Sequence, residues 1–120
     1  MTVRRLKTYS AQTGLVYEYY FVGKRAALPN DPFAPSTEYI FDVSSDRRST
    51  FAVSVFFPPR VLESYAAHHG RSLSEPEQYA AVKLRLLQAF DEITNMLLDG
   101  RRLTLEAESL DALLSAIGID

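Results

Sequence analysis

The sequence has no cysteine among its 120 residues, so it can form neither a disulfide nor a thiolate metal site, and redox chemistry through sulfur is excluded. It also has no apolar run of membrane-spanning length. Arg4, Arg5 and Lys7 lie near the start, but no apolar segment follows them, so the N-terminus does not read as a secretory signal. Cytoplasmic residence without a membrane partner is the expectation. Glycine-rich phosphate loops are missing, since the 5 glycines are scattered singly, and no serine sits in a G-x-S-x-G elbow. Charge of one sign is not in excess either. The net charge of −2 provides no general attraction to nucleic acid or anionic lipid. The first half, through Phe57, is mildly basic and the remainder acidic.

What the sequence does have is a parity. Leu15, Tyr17, Tyr19 and Phe21, then Tyr39, Phe41 and Val43, then Phe51, Val53, Val55 and Phe57 all place large apolar side chains on odd positions. Strand side chains alternate between faces, so each segment has one strongly apolar face and one mixed face. An apolar content of 47% is ample for one core, and a single domain over residues 1–120 is expected. A more polar alternation from Val3 to Tyr9 allows a fourth, edge strand, with Gln12, Thr13 and Gly14 as the turn. Pro29, Pro32 and Pro35 mark a long connection over residues 26–36.

After Pro58 the pattern changes. Pro59 suits the first turn of a helix that Gly70 would cap. Ser74 and Glu77 match the S-x-x-E capping box. Tyr79, Val82, Leu86, Phe90, Ile93 and Leu97 then recur at helical spacing and predict a helix running to about Leu98. Leu103 and Leu105 alternate in a strand-like way, and Ser109 is placed to cap a last short helix. The fold class is therefore α+β: an antiparallel sheet of three to four strands (1–57), one face covered by a helical hairpin (58–99), and a short C-terminal strand-helix segment (100–120).

No constellation rises to a reaction, and the expectation leans against an enzyme. No catalytic, cofactor-binding or metal-binding residue is assigned, and no cofactor is expected. His68 and His69 point about 100° apart on a helix and lack sequence-local carboxylate partners. Glu18, Glu38 and Asp42 share the mixed face, where solvated charge is the ordinary explanation. An enzymatic site built from Tyr20, Glu18 and His69 would need the fold to bring them together. A helix-turn-helix over 62–84 fails because Pro76 would fall inside the second helix and Glu75 and Glu77 would face the DNA.

The mixed face carries Val16, Tyr20, Val22, Ile40, Ala52 and Phe56, more apolar surface than a solvated face needs. The favoured function is a small accessory or interaction protein, a homo-oligomer or the binder of a protein partner. Its surface would combine Tyr20, Ile40 and Phe56 with Phe33 of the proline loop and with Leu110, Leu113, Leu114 and Ile117 of the terminal helix. The alternative is a nucleic-acid-associated regulator with Arg4, Arg5, Lys24 and Arg25 as a phosphate-binding corner.

Overall fold

Alternating residues with bulky aromatic and β-branched side chains favour extended chain, and the first half of the molecule is built from them. The computed structural model describes residues 5–119. In chain order the elements are β1 (Lys7–Ser10), β2 (Val16–Ala26), β3 (Thr37–Ser44), β4 (Phe51–Phe57), α1 (Pro59–His69), α2 (Glu75–Glu92), α3 (Met96–Asp99), β5 (Arg102–Thr104) and α4 (Ala107–Ala116). The strands form one sheet in the order β1-β2-β3-β4-β5. The first four are an antiparallel meander, and β5 joins β4 in parallel.

The odd-numbered face is the core. Tyr17, Tyr19, Tyr39, Phe41, Val43, Val53, Val55 and Phe57 are buried there against Val82, Leu86 and Phe90 of α2. Leu15 departs from the expectation: it precedes β2 in the turn, where its side chain is exposed. Phe51 and Phe21 are only partly buried. The parity itself breaks once. Between Phe21 and Gly23 the register of β2 on β3 shifts, so that Phe21 faces Phe41 but Lys24 faces Tyr39 and Arg25 faces Glu38. One extra residue in a strand reverses the faces beyond it. Even-numbered Lys24 thus lies on the core side, and Arg25 on the mixed side.

The helical layer differs from the expected hairpin in where α2 ends. Ile93 takes extended angles and closes the helix through its N–H to Ala89 O, and the Asn95 side chain then accepts from Leu98 N–H to start α3. Asparagine competes with the helix for backbone partners, which turns one long helix into two. Leu97 is consequently exposed rather than on the apolar stripe. The C-terminal segment is part of the fold's centre rather than an appendage. β5 extends the main sheet, Leu103 and Leu105 are buried, and α4 packs on α1 and α2 through Leu110 and Leu114. Arg85 of α2 fastens this edge by donating to Thr104 O at 3.0 Å. The N-cap of α4 is Glu106, three residues before Ser109.

The caps expected of α1 and α2 are present. Gly70 closes α1 in the left-handed region, at φ 69°, and donates to Ala66 O. Ser74 and Glu77 form the reciprocal capping box of α2. Arg71 also grips Glu77 in two hydrogen bonds of 3.0 and 3.1 Å, and these bonds with the Ser74 N–H hold the carboxyl down to about 2. In the β3–β4 turn, Asp46 is likewise held at about 2, chiefly by the backbone N–H groups of Ser49 and Arg48. A carboxyl whose folded pKa lies below its unfolded value stabilises the fold above the unfolded value and loses that contribution as pH falls through the folded one. Stability is therefore expected to decline as pH drops from the ordinary carboxyl range near 4 towards about 2. Urea midpoints at pH 7, 4 and 2.5 would measure it. The decline should be shallower in Glu77→Gln, and an identical profile would show that the box contributes nothing to acid sensitivity.

Candidate interaction surface

The face of the sheet away from the helices has two zones. In the first, at the β4–β5 end, Phe56 is fully buried although it belongs to the mixed face. The proline loop folds back over it and sets the Phe33 ring at 4.9 Å. The Arg102 guanidinium lies over both rings, 5.1 Å from Phe33 and 4.8 Å from Phe56, and bonds to Asp31. That bond, together with the Phe33 N–H, keeps the Asp31 carboxyl below its usual range. Cation–π contact and an ion pair thus clamp a loop that sequence alone left undetermined.

The second zone is open. Leu6, Val16 and Val22 are exposed there, beside half-buried Tyr20 and Ile40 and exposed Ala52. Its carboxylates each have a partner within the face. Tyr20 donates to Asp42 Oδ2 at 2.6 Å; Arg25 and Ser54 donate to Glu38 at 3.0 and 2.6 Å. Arg47 stands 4.0 Å from Glu18. Glu38 is only 6% exposed, so its charge is already desolvated and compensated within the fold. The zone's relief is a shallow hollow of about 200 Å³ between Leu6, Tyr20, Asp42 and Arg48.

The residues singled out from the sequence are not brought into one surface. Tyr20 and Ile40 lie on the open zone, and Phe33 and Phe56 contact each other at the capped end. Leu110 and Leu114 are committed to the core on the opposite side of the sheet, because α4 belongs to the helical layer. Leu113 is partly buried there and Ile117 is exposed at the helix end. The terminal helix does not cover the mixed face; the proline loop covers one end of it. The basic corner also separates. Lys24 and Arg25 point to opposite faces and hold Glu75 at 3.6 Å and Glu38 at 3.0 Å respectively. Arg5 is exposed, and Arg4 lies outside the described residues.

His69, invisible as a paired residue in sequence, meets Asp111 of α4 at 3.0 Å and stacks on Tyr65 with ring centroids 4.1 Å apart. His68 Nδ1 lies 2.9 Å from Ser64 O. Tyr20 and Glu18 are across the sheet from His69, so the three do not converge. Among the described residues no helix is long and apolar enough to cross a membrane, and no group of three or more acidic, histidine or cysteine side chains is placed to hold a metal ion. No protein-family model matches the chain, and no curated protein or solved structure matches it.

Proposed function

We propose that the protein is an assembly or accessory factor that works by self-association, with the open zone of the sheet packed against the same zone of a second copy. The observation that carries this reading is the coincidence of exposed Leu6, Val16 and Val22 with carboxylates already partnered within the face. Covering apolar surface is favourable by about 25 cal/mol per Å². Covering Glu38 adds little desolvation cost, because it is already buried and accepts from Arg25 and Ser54; Asp42 has the Tyr20 hydroxyl as its donor and would take a second from the partner copy.

A second copy suits the charge pattern. An isologous interface must be complementary to itself, which requires both signs on one surface. Here Glu18 and Asp42 stand beside the Arg47 and Arg48 turn. Four strands at about 4.8 Å spacing and some 25 Å of strand length give a footprint of roughly 20 by 25 Å, at the small end of specific interfaces. A dissociable dimer follows, one whose mass depends on concentration.

Light scattering from low micromolar to millimolar chain tests this. The solution mass is expected to rise from one chain to two. Ile40→Arg, which puts an extra charge at the centre of the zone, is expected to weaken the dimer about a hundredfold, since an uncompensated interfacial charge costs several kcal/mol. A chain that is monomeric throughout this range, or a dimer indifferent to Ile40→Arg, would remove the reading.

A further inference from the structure

Away from the open zone, the bulge in β2 delivers Lys24 to the core side, where it ends at the rim of a cleft of about 430 Å³ between β2, β3 and the first turns of α2. Its walls are Phe21, Tyr39, Tyr79 and Pro76, with Lys24 and Glu75 at the mouth. Phe21 and Tyr79 meet edge to face, with centroids 5.1 Å apart and planes at 69°, and Phe21 lies 6.2 Å from Tyr39. The cleft is shallow and open to solvent, with room for a small cation against its apolar wall rather than for an enclosed ligand.

The occupant of the mouth indicates what the cleft takes. The Lys24 ammonium sits 5.6 Å from the centre of the Tyr39 ring and 3.6 Å from Glu75. A cation over an aromatic face, with more rings beside it and a carboxylate at the edge, is the arrangement that recognises alkylated ammonium groups. Lys24 occupies that seat as an internal stand-in, and both it and Glu75 are solvent-accessible, at 41% and 82% side-chain exposure. Its replacement by another cation would leave Glu75 paired and return one strongly hydrated ammonium to water. A methylated ammonium is the better occupant, because it is weakly hydrated and its methyl groups fit apolar walls.

We propose that the Phe21–Tyr39–Tyr79 cleft is a binding site for a small quaternary ammonium compound of choline size, with the Lys24 side chain as a displaceable plug.

The test titrates choline chloride into the full chain and into Lys24→Ala while backbone amide resonances are followed. A parallel titration uses 3,3-dimethylbutan-1-ol, which has the shape of choline but carbon in place of the charged nitrogen. Saturable shifts are expected at Phe21, Tyr39 and Tyr79. Binding in Lys24→Ala should be about fivefold tighter than in the unaltered chain, and choline should be preferred over the alcohol by about fivefold, the scale of one exposed cation–π contact. Tyr39→Leu keeps apolar bulk but removes the ring under the cation and should abolish the preference; if that variant fails to fold, the comparison of choline with the alcohol in Lys24→Ala still decides. Equal binding of the two compounds, or no saturable shift in Lys24→Ala, would overturn the proposal. Co-sedimentation with phosphatidylcholine vesicles that free choline reverses would make a lipid headgroup the source of the cation. Choline binding without co-sedimentation would make it a free small molecule.

Discussion

A chain cut after Gly100 is expected to be unfolded under conditions where the full chain is native. The cut removes β5 and α4 and with them Leu103, Leu105, Leu110 and Leu114, all buried in the same core as the aromatic face of the sheet. Burial of each is worth about 1.5–3 kcal/mol, or about 6–12 kcal/mol for the four. Total stabilities of domains this size run to about 5–15 kcal/mol. The loss also uncovers Val61 and Tyr65 of α1, which packs on α4. Far-UV circular dichroism and urea titration of the two lengths would measure this. A shortened chain with a cooperative transition near that of the full chain would show that the C-terminal segment is dispensable. For the same reason, shortening the chain cannot report on assembly, and the point substitution at Ile40 is the appropriate probe.

Phe90→Ala is expected to cost about 3–5 kcal/mol of stability. Phe90 is fully buried and lies at the centre of an aromatic cluster that spans the two layers. Its ring stacks on Tyr17 with centroids 4.1 Å apart and planes within 7°. Tyr19 and Tyr9 flank it at 5.8 and 6.1 Å. Stacked aromatic pairs add about 0.5–1.5 kcal/mol beyond area burial, and the neighbouring strands cannot close over the void without breaking their ladder. Phe90→Leu, which retains most of the volume, should cost clearly less. Equal urea midpoints for Phe90→Ala and the unaltered chain would show that Phe90 is not central to the core.

Phe90 also shows what could be read from the sequence. Its place in a helical stripe and the odd parity of Tyr17 and Tyr19 are local periodicities, so their meeting follows once a sheet and a helix are inferred. The Ser74–Glu77 box is equally local, four residues end to end. Lys24 is the opposite case. Its face depends on how β2 registers against β3, a choice made between residues distant in sequence, and the lone Gly23 inside a strand was the only hint. The clamp of Arg102 and Phe33 over Phe56 joins three separate segments, and the contact of His69 with Asp111 joins two. No pattern within one segment encodes such meetings. The split of α2 at Ile93 was masked by a hydrophobic stripe that continues past it through Leu97, while the polar pair Thr94 and Asn95 was the signal that mattered.

The parallel pairing of β5 with β4 has a consequence for how the chain reaches this structure. A parallel neighbour cannot be added by a tight turn, and the intervening helices must cross the sheet first. During synthesis the meander therefore emerges with an aromatic face bare and with the outer edge of β4 lacking its neighbour. Such an edge is a template for the strand of another molecule. Crowded nascent chains are thus most exposed to mispairing before Leu103 arrives, and slowing translation ahead of β5 would lengthen that interval.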